Sequence, residues 1–177
     1  MTSVVTVFDA DTLRVRCQAI LAAIVAAGDA LPRVTPLPAR QLVSSGGVTW
    51  DCEMLFVSAL TVQTGLPETV ETPVYGGVNT FPQGNMTAWT VTVECGVVRK
   101  LLAQPTVVGP SQRAPSTDAY LADLTAVSAD TAVLFNAAQA LVAASFQPVP
   151  QSAAMLAPQG GFHGVAATLT VELWPAP

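Results

Sequence analysis

Charge is scarce in this sequence. Only 11% of its 177 residues are Asp, Glu, Lys or Arg, while 51% are hydrophobic; a soluble domain ordinarily carries about 25% charge. A folded surface built from this composition leaves apolar area in water, the usual mark of surface meant for other chains, so an oligomer is expected. Basic residues are scarcer still: seven Lys and Arg stand against twelve acids, for a net charge of −5. No basic stripe exists to neutralise phosphates, which excludes tight nucleic-acid binding. Cysteine is limited to Cys17, Cys52 and Cys95. An odd, widely spaced set fits neither a disulfide framework nor a zinc ligand pattern, and reduced, buried thiols are expected. No run approaches the roughly 20 apolar residues of a bilayer span; the longest, residues 19–27, ends at Gly28 and Asp29. The opening residues, MTSVVTVFDADTLR, show no basic region leading into an apolar core and a cleavage site, so maturation in the cytoplasm is expected.

Disorder is also excluded, because the mean hydropathy is +0.49 and the net charge is small for the length. The length suits a single domain, residues 1–177. Residues 12–31 carry Leu13, Cys17, Ile20, Leu21, Ile24 and Leu31 at helical spacing. Asp9 or Asp11 can cap the helix start and Pro32 stops it. The prolines at 32, 36 and 38 and the run Ser44-Ser45-Gly46-Gly47 read as loop. From 48 to about 64 the pattern alternates, with Val48, Trp50, Cys52, Met54 and Phe56 on one face, predicting a strand. Its second half is apolar on both faces, which predicts cover on two sides, one supplied by a helix and the other by a neighbouring subunit. A second strand is expected from 86 to about 102, with Trp89, Val91, Val93, Cys95 and Val97 inward.

The connection between these strands, at about 65–85, is rich in Pro and Gly and too long for a tight hairpin. Its Pro73, Tyr75, Asn79, Phe81 and Pro82 have the composition of an adaptable contact arm toward a neighbouring subunit or another protein. A Pro-rich crossing, 104–115, leads to Ser116 and Thr117 as caps and to an Ala-rich helix ending near 145, with Leu121, Leu124, Val127, Leu134, Phe135, Ala138, Leu141 and Val142 near one face. After further prolines, residues 162–174 alternate as the last strand. The expected fold is α+β: a small antiparallel sheet with two main helices packed on it, in the order helix, strand, strand, helix, strand.

Catalytic chemistry finds little material. His163 is the only histidine, so any Ser or Cys nucleophile has a single possible imidazole base. It falls on the apolar side of the last strand, where a structural histidine is the plainer reading. Cys52 and Cys95 alternate into the expected core, where a thiol is a small hydrophobe with a raised pKa. Asp51 and Glu53 form the one close acidic pair on a strand face, and Glu68 and Glu71 sit in the long loop without walls to tune them; both pairs read as solvated charge. Ser44-Ser45-Gly46-Gly47 lacks the Lys and the following helix of a phosphate loop. No enzyme activity, catalytic residue, cofactor or metal is expected.

The runs GGVTWDCEMLFVSA, FPQGN, WTVTVECGVVRKLLAQP and APQGGFHGVAATLTVELWP together resemble a family of neck proteins of long-tailed (siphovirus-type) bacteriophages of actinobacteria. The matching positions are Gly46 or Gly47, Val48, Trp50, Asp51 and Cys52; Phe81 and Pro82; Gly96, Val97 and Arg99; and Gly160, Gly161 and Gly164. Lys100 stands where a second cysteine commonly follows the arginine in that family. The element order is similar to that of tail terminators. The resemblance implies a homo-oligomeric ring, a hexamer, that caps the tail tube at the neck of the virion after assembly in the host cytoplasm. Its implied partners are further copies of itself, the major tail tube protein and the head-to-tail stopper or connector proteins, with DNA passing through the lumen without specific binding and no membrane involved. A stopper, connector or minor tail protein of the same neck region is the alternative.

Overall fold

The computed structural model describes residues 10–32, 35–65, 88–103, 106–108, 111–113, 116–143 and 149–173. Helix α1 spans Ala10–Ala30, β1 Gln41–Ser45, β2 Met54–Gly65, β3 Ala88–Lys100, β4 Thr106–Val108, β5 Ser111–Arg113, α2 Thr117–Ala143, β6 Val149–Gln159 and β7 Phe162–Leu173. Five strands form one mixed sheet in the order β1-β2-β3-β7-β6, and β4 pairs with β5 in a small ribbon inside the Pro-rich crossing. Both helices lie on one face, α1 over β1 and β2 and α2 over β7 and β6, and they pack against each other. The fold is α+β, as expected.

The helices form where the apolar spacing predicts them. Cys17, Ile20, Leu21 and Ile24 of α1 are buried against the sheet, and Pro32 follows the helix end. Asp11 lies inside the first turn, paired with Arg14 at 3.3 Å, so it is not the cap; Asp9 lies outside the described residues. Ser116 does cap α2: its hydroxyl accepts from the amide of Ala119 at 3.2 Å. Between helices and sheet sits the main core, in which β3 contributes Val91, Val93, Cys95 and Val97 and β7 contributes Val165, Ala167, Leu169 and Val171. These are the inward phases of the two clearest alternating runs.

Several expectations need correction. The sheet is not wholly antiparallel, and its strands number more than three. β1, read from its serines as loop, runs parallel to β2 with Leu42 opposite Phe56 and Val43 opposite Val57. Five residues are too few to show a period against neighbouring loop. β6, read as Pro-rich connection, is the other edge strand. Pro150 and Pro158 are tolerated there because an edge strand does not require every amide.

The strand expected from 48 begins only at Met54. Residues 46–53 instead return from the end of β1 to the start of β2, and Val48, Trp50 and Cys52 pack on the side of the sheet away from the helices. There they join Met54, Phe56, Val98 and Ala166 in a second, smaller core. The chain itself thus supplies the second cover that was expected from a neighbouring subunit, and it covers Met54 to Ala59 rather than the far end. Past a register shift between Ala59 and Thr61, Leu60 and Val62 are exposed.

Candidate functional site

Two aspartates on the inner face of α2, one turn-pair apart in sequence, reach down to the end of the sheet where β3 and β7 meet. Arg99 and His163 are register partners across those strands. Both point to the helix side, in phase with Val97 and Val165. Arg99 donates from Nε to Asp130 Oδ2 at 2.5 Å and from Nη2 to Asp130 Oδ1 at 2.9 Å, and its Nη1 donates to the Pro36 carbonyl at 3.0 Å. Both partners are buried, so this bidentate pair is shielded from water and salt. Asp123 accepts from the amides of Leu102 and Ala103 at 3.1 and 2.8 Å. His163 Nε2 lies 3.4 Å from Asp123 Oδ1 but is not aligned for a hydrogen bond. The set fastens α2, the 101–103 turn, the 35–38 segment and the β3–β7 ladder to one another.

Arg99 also forms part of the wall of a cleft of about 350 Å³ between α2 and the chain after α1, lined otherwise by Pro32, Thr35, Leu121, Thr125 and small alanines. The guanidinium is already held by Asp130 and Pro36, so the cleft presents mainly hydrocarbon. Above it, the exposed side of α2 carries Leu121 (56%), Leu124 (57%), Phe135 (46%) and Val142 (51%). Sequence spacing had grouped these four with the core residues Val127, Leu134, Ala138 and Leu141. The structure separates them: α2 has two apolar sides, and only one is used within the chain. Asp118, Asp123 and Asp130 are the only charged residues of α2, and the last two are buried. The exposed side past the first turn is therefore uncharged.

The residues picked from the sequence divide into three groups. Pro73, Tyr75, Asn79, Phe81 and Pro82 lie outside the described residues. Trp50, Asp51 and Cys52 sit together in the crossover. Trp50 Nε1 is buried without a partner, Asp51 pairs with Arg40 at 3.4 Å, and Arg40 Nη1 lies 2.8 Å from Cys52 Sγ. Asp51 and Glu53 do not share a strand face, because the strand starts after them; Glu53 accepts from the Lys100 amide at 3.0 Å. Gly96 and Arg99 are on β3. A side chain at 96 would meet Phe56 Cε1 and the Val165 carbonyl, each at 2.6 Å, so glycine lets Phe56 lie flat on the sheet. Gly164 is likewise closed off by the Val97 carbonyl.

Sequence reasoning missed Asp123 and Asp130. The signal was present, since both fall on the apolar side of an otherwise Ala-rich helix and Arg99 continues the inward phase of Val93, Cys95 and Val97. Among the described residues, no three His, Cys, Asp or Glu side chains converge as metal ligands would, and no helix is long and apolar enough to cross a membrane. Burial pushes the Cys95 thiol up to about 12, with Glu94 adding to the effect, and burial raises Cys17 too. Neither is a thiolate at neutral pH. What the site offers is a rigidly fastened helix with an apolar outer side. No protein-family model and no curated protein matches this chain.

Proposed function

We propose that the protein is a structural component of a bacteriophage virion, a tail terminator that assembles as a ring, six copies in the resembling family, at the junction of tail tube and neck. The observation that carries this reading is the uncharged, apolar outer side of α2, left exposed while the opposite side of the same helix is buried in the main core. A patch of this kind serves contact with protein, and heterologous contacts between identical copies close into rings. The low charge of the whole sequence supports the same reading. So does the resemblance of its Trp50-Asp51-Cys52 and Gly96-Val97-x-Arg99 runs to neck proteins. Partners in this reading are further copies, the tail tube protein and the stopper or connector proteins. DNA passes through without specific binding, because a net −5 per copy repels a polyanion.

The test is the mass of the purified protein by light scattering, followed by electron microscopy of the same sample with tail tubes and, separately, with connector rings. Rings that cap tube ends are the expected result. Binding to connector rings in place of tubes would reassign the protein as a stopper. Binding to neither, with no ring formed, would refute a place in the neck.

A further inference from the structure

We propose that the two edges left unpaired among the described residues of the five-stranded sheet are mates: β6 of one copy pairs, antiparallel, with β1 of the next, continuing the sheet from subunit to subunit. The occupant of each edge is a second copy of this chain, and the inference rests on the ring reading above.

The argument starts from what the edges lack. Solitary soluble sheets guard their margins with charge, proline or covering loops. β1, Gln41–Ser45, carries no charge and no proline. In β6 the prolines stand near the ends, at 150 and 158, and the stretch between them, QSAAMLA, has neither charge nor proline. Its pairing to β7 is regular from Ser152 to Leu156 and shifts on either side. Along Gln41–Ser45 and Ser152–Leu156, then, neither margin carries charge or proline, and the prolines and register shifts of β6 fall outside that stretch.

Direction agrees. β1 runs parallel to β2, and each further step across the sheet reverses, so β6 runs opposite to β1. A neighbour related by rotation, without inversion, then presents its β1 antiparallel to β6, the stronger form of pairing. Side-chain faces fix the register, because a slip of one residue would turn every side chain to the wrong side. Val43 and Met155 both lie on the helix side, opposite Val57 and Val165. Leu42 and Leu156 both pack at the margins of the smaller core on the other side. Placing Val43 against Met155 sets Leu42 against Leu156 and Ser44 against Ala154. Met155, 66% exposed in the single copy, gains an apolar partner, and both cores extend through the joint. Stable association needs roughly 800 Å² per partner. The short edges need further surface for that, and Leu124, Phe135 and Val142 of α2, the helix lying over β7 and β6, are exposed apolar side chains that could join the contact.

The experiment compares wild type, Met155→Lys and the Ser44→Cys/Ala154→Cys variant. Directly opposed strand residues are within disulfide reach. Mild oxidation of the double variant is expected to give a ladder of covalent multimers, with Ser44→Cys alone and Ala154→Cys alone giving none beyond the wild-type background. Met155→Lys, at an exposed position, is expected to keep its circular dichroism and to weaken association at least tenfold by light scattering. Covalent dimers from Ala154→Cys alone would overturn the proposal in favour of two β6 edges facing each other. A Met155→Lys variant of wild-type mass, or a wild type that stays monomeric at every concentration, would also overturn it. Capping of tube ends by wild type is read separately. Capping without the cross-link sinks the edge pairing and leaves the terminator reading standing, and the cross-link without capping does the reverse.

Discussion

Replacing Asp130 by Leu strands a buried guanidinium, and the structure sets the size of the effect. Asp130 supplies both acceptors of the bidentate pair, at 2.5 and 2.9 Å, and its side chain is 1% exposed while that of Arg99 is 6% exposed. With Asp130 gone, Arg99 keeps one acceptor, the Pro36 carbonyl. Breaking a buried pair on one side costs about 3–5 kcal/mol, a large share of the roughly 5–15 kcal/mol that holds a domain together. At this size each kcal/mol moves the melting temperature by about 2–4 °C, so a fall on the order of 10 °C is expected. Removing both charges, as Arg99→Met with Asp130→Leu, is expected to recover most of the loss, since an apolar pair of similar volume avoids desolvating two ions. Urea unfolding of the single and double variants, at one fixed protein concentration so that association does not shift the midpoint, separates the two terms. A single variant within 1 kcal/mol of wild type would refute the claim that Arg99 is held as a buried charge. A double variant as damaged as the single would show that packing, not the unpaired ion, carries the cost.

Three further outcomes are expected. Burial pushes the Cys95 thiol up to about 12, from the ordinary value near 9.0, so the folded state keeps its proton longer than the unfolded chain. Its contribution to stability is whole below pH 9 and is lost as pH rises toward 12, at about 1.4 kcal/mol per pH unit; Cys95→Val is expected to flatten that part of the alkaline unfolding profile, and an unchanged slope would contradict the burial. Gly164→Ala must displace the Val97 backbone, whereas Gly47→Ala meets nothing within 4 Å; thermal melts should show a loss of about 1–3 kcal/mol for the first and little for the second, and equal melts would show that β3 and β7 are less closely set than described. Gly65 and Ala88 are register partners at the base of the long connection, so deleting residues 73–84 leaves a gap that shorter chain can close. Circular dichroism should be unchanged and tail joining in an infection assay abolished; normal virion yield would remove the contact role given to Tyr75, Asn79 and Phe81.

Much of this protein was legible in the sequence because the relevant signals are local. Helical spacing set α1 and α2 to within a few residues, Ser116 marked its cap, and strict alternation gave β3 and β7 with their inward faces. Tertiary structure decided the rest. Whether an apolar residue on α2 is core or surface depends on what lies opposite, so only packing could separate Val127, Leu134 and Leu141 from Leu124, Phe135 and Val142. Val48, Trp50 and Cys52 alternate as a strand would, yet they belong to a crossover, because their periodicity records contact with one face of a sheet and not the hydrogen bonds that would make them part of it. Edge strands such as β1 and β6 leave weak traces, since among the described residues each pairs with a strand on one side only. The buried ionic set needed long-range closure most of all. Arg99 and Asp130 are 31 residues apart, and no local rule pairs them; folding does, because a charge drawn out of water must find its opposite.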